Sequence, residues 1–243
     1  MKQTSHKHRA RPECDSDPQR ILAPINDWFQ HQGWSPLPFQ KRTWEAHLQG
    51  LSGLIQVPTG SGKTYAAVMG PIAQMLASAN EQAGIRLLYI TPLRALGRDL
   101  AVALQQPIDA MGWPLRVGIR NGDTPSAERS RQIKKPPEIL ITTPESLCVL
   151  LASRHCEALF KTLDTVVLDE WHELIGSKRG IQAELALSWL RQQRPQLQTW
   201  AISATIGNLE ESARHALGEG CEPCLITGAP KRGLDVTLSL IHI

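Results

Sequence analysis

The chain reads as short apolar runs separated by stretches with helical spacing. Runs with strand-like length and composition are Gly53–Val57, Arg86–Ile90, Arg116–Ile119, Glu138–Thr142, Thr165–Leu168, Thr199–Ile202 and Pro223–Thr227. Several, such as Val166-Val167-Leu168, are apolar at consecutive positions instead of alternating. That pattern is expected where both faces of a strand are covered. Helical patterns lie between them at Phe39–Gln49, Lys63–Ala79, Arg94–Met111, Glu145–Leu151, Gly180–Gln193 and Leu209–Leu217. Strands alternating with helices predict a doubly wound α/β fold: a mostly parallel sheet with helices on both faces and ligands at the carboxyl ends of the strands. Thr64–Asn80 carries no charged side chain, yet Gly70, Pro71, Gln74 and Ser78 make it too polar and broken for a membrane span. A buried helix is expected there. Residues 1–20 are polar, mixed in charge and punctuated by proline, which predicts a flexible tail.

Composition narrows the function classes. With 42% hydrophobic and 20% charged residues over 243 positions, the chain is neither disordered, collagenous nor disulfide-stapled. Lys plus Arg (26) barely exceeds Asp plus Glu (23), for a net charge of +3. A protein that coats polyanions would carry more, so any nucleic-acid contact has to be local and geometric. An odd number of cysteines and no secretory pattern at the start predict a reducing cytoplasm. Cys221 and Cys224 have the spacing of a metal pair, and His6, His8 and Cys14 cluster in the tail, but neither group has the further ligands zinc needs.

The sharpest local signal follows the first strand. Leu54–Val57 runs into Pro58, then Thr59-Gly60-Ser61-Gly62-Lys63-Thr64 and the charge-free helix. Strand, glycine-rich turn and helix form the context of a phosphate-binding loop. Glycines at 60 and 62 let backbone N–H groups converge on phosphate oxygens, and the helix amino end adds a favourable field. Lys63 is placed to neutralise the β- and γ-phosphates, and the Thr64 hydroxyl to ligate Mg2+. Val57 stands where the general pattern has glycine, so the chain carries the shorter TGSGKT form.

A second signal is acidic. Thr165–Leu168 ends in Asp169-Glu170-Trp171-His172. Beside a phosphate loop, such a pair suits Asp169 to hold Mg2+ through water and Glu170 to orient and deprotonate the attacking water. An N-K-x-D segment for guanine recognition is absent, and neither lid nor acceptor pocket of a small-molecule kinase is identifiable, so ATP hydrolysis is favoured.

The remaining motifs carry a resemblance. TGSGKT, Thr91-Pro92-Leu93-Arg94-Ala95-Leu96, Gly122-Asp123-Thr124, Thr142-Thr143-Pro144-Glu145-Ser146-Leu147, the Asp169–His172 tetrad and Ser203-Ala204-Thr205 occur in that order. The series resembles the first RecA-like domain of superfamily 2 DExH-box helicases over about Ile21 to Val236. More narrowly, residues 34–40, DEWHELIGSKRG and SATIGNLEE resemble the Lhr group and, within it, the bacterial ligase-associated branch. The resemblance implies a RecA-like P-loop domain at 21–228 followed by the start of an interdomain segment at 229–243. It implies Gln40 reading the adenine edge, and Thr59 to Thr64 enclosing ATP with Mg2+. Thr91, Pro92, Arg94, Gly122, Asp123, Thr143 and Glu145 would grip a nucleic-acid backbone. Ser203, Thr205 and His172 would couple that grip to hydrolysis. The implied partners are single-stranded or partly duplex DNA, with RNA as the alternative, and a ligase and nuclease of a repair system, in a cytoplasmic, nucleoid-associated protein without a membrane. A non-catalytic, nucleotide-gated binding module is the rival from another class.

Trp34, six residues before Gln40, is a candidate to approach the base, whereas Trp44, Trp171, Trp189 and Trp200 are expected to pack in the core or at an interface. A helicase motor needs a second RecA-like domain, so residues 1–243 alone are expected to bind ATP weakly, hydrolyse it poorly and unwind nothing. Leu238–Ile243 back-translates into a transposon end used in library preparation, and these last residues are expected to be non-native.

Overall fold

The computed structural model describes residues 17–78, 84–204, 207–218 and 221–228. In chain order the elements are α1 (Pro18–His31), α2 (Pro38–Leu48), β1 (Gly53–Gln56), α3 (Lys63–Ala77), β2 (Leu87–Ile90), α4 (Leu96–Met111), β3 (Val117–Arg120), α5 (Ser126–Lys134) and β4 (Ile139–Thr142). They continue with α6 (Pro144–Leu151), α7 (Cys156–Phe160), β5 (Thr165–Leu168), α8 (Trp171–Leu174), α9 (Lys178–Gln193), β6 (Gln198–Ser203), α10 (Leu209–Leu217) and β7 (Cys224–Thr227).

The strands form one seven-stranded sheet in the order β3-β4-β2-β5-β6-β1-β7. Every pairing is parallel. Strand positions of opposite parity feed two separate cores, because successive side chains point to opposite faces. On one face Ile55, Leu87, Tyr89, Ile141, Val167, Trp200 and Ile202 pack with residues of α1 to α4. On the other, Leu54, Leu88, Ile90, Leu140, Val166, Leu168 and Ala201 pack with residues of α6 to α10. This double coverage is the reason the strands read as continuous apolar runs.

All the strands expected from the pattern form, within one or two residues at their ends. Four helices were not legible in it: α1, α5, α7 and α8. Helix α1 buries Leu22, Ile25, Trp28 and Phe29, a spacing that fits one helical face, and Asp17 accepts the Gln19 N–H to cap it. It begins at Pro18, inside the stretch expected as a tail. Residues 1–16 and 229–243, including the interdomain segment and the suspected non-native end, lie outside the described residues.

The charge-free segment is helix α3, which buries Ala66 through Ala73 against α2 and the sheet. Gly70 lets it approach α2 closely, since a Cβ there would sit 3.2 Å from His47. The Trp200 indole donates to His47 Nδ1 at 3.3 Å, and His47 Nε2 meets Gln74 Oε1 at 2.9 Å. Gln198 Nε2 donates to the carbonyls of His47 and Leu51. These bonds lock α2 and α3 to β6 and satisfy polar groups that burial would otherwise penalise. No helix among the described residues is long and apolar enough to cross a membrane.

At Gly53 the β1–β7 pair is too close for a side chain: a Cβ would lie 2.0 Å from the Cys224 carbonyl oxygen and 2.9 Å from the Trp200 ring. Gly53→Ala is therefore expected to destabilise the fold by about 1–3 kcal/mol, the usual cost of overpacking. Chemical denaturation would detect it as a lowered midpoint with an unchanged slope.

Candidate functional site

Strand order assembles the site. Strand β6 lies between β1 and β5, so the loop leaving β1 and the acidic tetrad leaving β5 flank the end of β6. Across that gap Lys63 Nζ donates to Glu170 Oε1, forming a partly buried ion pair. His172 Nδ1 lies 3.6 Å from Glu170 Oε2 and 3.0 Å from the Ser203 hydroxyl at the tip of β6. Lys63, Glu170, His172 and Ser203 thus form one connected cluster. Thr205, expected to join it, lies outside the described residues.

The loop has the shape its glycines require. Gly60 and Gly62 adopt φ of +74° and +83°, a region costly for other L-residues. A Cβ on Gly62 would sit 2.8 Å from Gln40 Nε2, whereas the space over Gly60 is open. Thr59 and Gly60 are exposed, Ser61 and Thr64 half-buried, and the Ser61 hydroxyl donates to the Pro58 carbonyl at 2.6 Å. Gln40 is buried, with Nε2 donating to the Gly62 carbonyl at 3.1 Å and Oε1 accepting the Leu37 N–H at 2.8 Å. In this state its amide ties α2 to the loop; reading an adenine edge would draw on the hydrogen-bonding capacity left on the same amide.

Asp169 is buried, with Oδ1 accepting the Glu170 N–H at 3.0 Å. Burial, and then the Glu170 charge, push its carboxyl up to about 6, against the pull of Lys63. The Tyr89 hydroxyl, fully buried on β2, feels Asp169 and Thr64 yet closes no regular hydrogen bond, and burial followed by the Asp169 charge holds it well above the usual phenol range. A desolvated carboxylate, a neighbouring threonine hydroxyl and an under-partnered phenol make a donor set suited to a hydrated divalent cation. Glu170 has φ +44°, the one positive φ outside glycine among the described residues. Such strain concentrates at functional positions. Trp171 anchors the segment from below, its indole donating to the Ser212 carbonyl at 2.8 Å.

A second cluster lies along the same rim, after β2, β3 and β4. Arg94 covers Gly122, where a Cβ would be 3.0 Å from its guanidinium carbon, and stands 3.6 Å from Asp123. Glu145 pairs with Arg179 at 2.6 Å, and Arg179 also donates to the Pro92 carbonyl at 3.2 Å. Burial opposes ionisation of Glu145, but its own backbone N–H, the Thr143 hydroxyl and Arg179 together hold it below the usual carboxylate range. Thr91, Pro92 and Thr143 are buried, and Thr143 caps α6 by accepting the Ser146 N–H. Their side chains do not face solvent as Arg94, Gly122 and Asp123 do.

Sequence reading gave no role to Tyr89 or, singly, to Arg179. Tyr89 lies in no motif, and Arg179, within DEWHELIGSKRG, matters through neighbours on other elements. Trp34 is 46% exposed and packs against Trp28, Phe29 and Tyr65 at the start of α3. Trp44, Trp171 and Trp200 are fully buried.

A doubly wound parallel sheet with a glycine-rich loop and an acidic pair at its carboxyl rim defines a P-loop nucleotide-binding domain. The DEAD/DEAH box helicase profile matches residues 37–212, and the chain belongs to that family. It is 36% identical to the Lhr helicase/uracil glycosylase of Escherichia coli over 88% of its own length and 15% of that protein. It is 35% identical to ATP-dependent helicase Lhr-Core protein 2 of Thermococcus barophilus, over 94% of its length and 28% of that protein. Among solved structures, Mycobacterium smegmatis helicase Lhr bound to ssDNA and AMP-PNP superposes with a TM-score of 0.79 at 34% identity, covering 88% of this chain and 28% of that one. The RecA-like fold is thus that of the helicase structures, and the chain spans less than a third of each of these relatives.

The Asp169 environment makes a signed prediction. The folded carboxyl holds its proton up to about 6, against 3.8 ordinarily. Stability is therefore lost as pH rises through that window, on the order of 2–3 kcal/mol, and stays lost above it. In the absence of nucleotide and metal, Asp169→Asn is expected to raise the melting temperature by several degrees at neutral pH. Thermal scans should show that advantage shrinking as pH falls below about 6.

Proposed function

We propose that this chain is the ATP-binding domain of an ATP-dependent DNA helicase, coupling hydrolysis to movement along single-stranded DNA in DNA repair. The observation that carries the reading is the meeting of Lys63 with the Asp169/Glu170 pair at the rim that also bears the Arg94 cluster. In support, the Lhr structure it resembles was solved with ssDNA and AMP-PNP.

In this reading the N–H groups around Gly60 and Gly62 hold the phosphates, with Thr59 and Ser61 shaping the turn. Lys63 leaves Glu170 for the β- and γ-phosphates as nucleotide enters, which releases Glu170 to take the proton of the attacking water. Thr64 and Asp169 hold Mg2+, which supplies positive charge against the phosphate oxygens. Gln40 senses the base while bonded to the loop it reports on. His172 touches both Glu170 and Ser203, so it relays the state of the hydrolysis site to β6, with Thr205 continuing the path. Thr91, Pro92, Arg94, Gly122, Asp123, Thr143 and Glu145 grip the strand, the buried ones through backbone groups. Backbone contacts of this sort position a strand without reading its sequence. A repair ligase and nuclease would be partners, and the cytoplasm, at the nucleoid, the site of action.

Two substitutions separate a motor from a nucleotide-gated binder. Lys63→Ala is expected to weaken binding of a fluorescent ATP analogue at least tenfold, because the loop loses its only ammonium. Glu170→Gln is expected to keep or improve that affinity, since Lys63 is released from its ion pair, while strand-stimulated turnover falls by about 10²-fold or more. Undiminished turnover in Glu170→Gln would exclude hydrolysis as the output. Competition of single-stranded DNA against RNA in the same assay decides the polymer.

A further inference from the structure

Between β3 and α6 lies a cleft lined by Arg94, Arg120, Asn121, Gly122, Arg129 and Glu145, among others, with a volume of about 210 Å³. Two of its arginines belong to no motif. Arg129, on α5, turns back onto the preceding turn and spends its guanidinium on three carbonyls: Thr124 at 2.8 Å, Asn121 at 3.1 Å and Gly122 at 2.9 Å. A planar fork with five donors suits that task, and a lysine ammonium would not reproduce it. The turn is closed from within as well, Asn121 Oδ1 accepting the Asp123 N–H at 3.0 Å and the Thr124 hydroxyl accepting the Asn121 N–H at 3.0 Å. Gly122 and Asp123, the exposed members under Arg94, thus hang from one side chain nine residues from the strand's last residue.

Arg120 ends β3 and donates to the Arg129 carbonyl at 3.0 Å. Glu145 and Asp123, the nearby carboxylates, are engaged by Arg179 and Arg94. Among the described residues neither Arg120 nor Arg129 has a carboxylate partner, although both line the same half-buried cleft. Burial, then the Arg129 charge, lower the Arg120 guanidinium from its ordinary value. The Arg120 side chain makes one hydrogen bond among the described residues, to the Arg129 carbonyl, which leaves other guanidinium donors to meet an anion such as a phosphate.

We propose that Arg129 is a positioning residue that sets the Asn121–Thr124 turn for gripping a nucleic-acid strand, and that Arg120 beside it contacts a backbone phosphate directly. The inference rests on the nucleic-acid reading above and adds two residues with different duties.

The two duties separate in salt. Binding of a fluorescent single-stranded oligonucleotide by the 243-residue chain is measured across a salt titration, together with melting temperature and ATP-analogue affinity. Loss of one phosphate contact flattens the slope of log K against log salt by about 0.7 for a single strand. Arg120→Gln is expected to weaken binding and flatten the slope by that amount. Arg129→Ala is expected to weaken binding about tenfold with the slope unchanged, since it removes alignment and not a phosphate contact. Its ATP-analogue affinity should stay at the wild-type value, while the melting temperature falls by no more than a few degrees for the three lost hydrogen bonds. A wild-type slope in Arg120→Gln overturns the contact, and a flattened slope in Arg129→Ala overturns the positioning role. Parallel loss of nucleotide affinity and thermal stability in Arg129→Ala reduces it to a general structural residue and overturns the proposal likewise. Loss of salt dependence in Arg94→Ala alone would leave the nucleic-acid reading standing while this inference falls. No salt-dependent binding by the wild type brings down both.

Discussion

The structure turns on one ion pair spanning a strand. Lys63 begins the helix after β1, Glu170 follows β5, and β6 separates their strands. Their side chains meet because all three strands run parallel and end at the same rim. An ammonium and a carboxylate held in a partly desolvated cleft interact far more strongly than in water, and each loses most of that stabilisation if the other is withdrawn. The pair ties the start of α3 to the turn after β5. In the proposed function its two groups part, Lys63 to the phosphates and Glu170 to the attacking water.

Around that pair the fold tolerates features that ordinary stability would remove. Asp169 is buried with its ionised form disfavoured, Glu170 occupies a left-handed backbone conformation, and the Tyr89 hydroxyl is under-partnered beside them. Each is costly by itself. The surrounding rigidity makes them affordable: β5 is covered on both faces, and the Trp171 indole fastens the following turn to α10.

How much was legible depends on the range of the interaction involved. The phosphate loop was readable because its chemistry is local: glycines where φ is positive, then lysine and threonine at a helix start. The strands were readable because burial on both faces writes itself as consecutive apolar residues. Helix α5 was not, since it is polar, buries little besides Gln132, and earns its place through Arg129. Helix α1 was overlooked because its apolar spacing abuts a polar, proline-rich stretch. Arg179 follows Lys178 at a helix start, and only the folded chain brings Glu145 and the Pro92 carbonyl to it.

The sequence by itself determined the fold class, the phosphate loop, the acidic pair and the order of the remaining motifs, because each is a matter of residue type and short spacing. Tertiary structure alone decided which groups touch. It set Lys63 against Glu170 and linked His172 to Ser203, fastened Gln40 to Gly62, and left Arg120 and Arg129 without carboxylates among the described residues. These outcomes depend on strand order, since β6 enters the sheet between β1 and β5 after both have been laid down in the chain. Local sequence carries no record of that insertion, whereas the electrostatics of the site follow from it entirely.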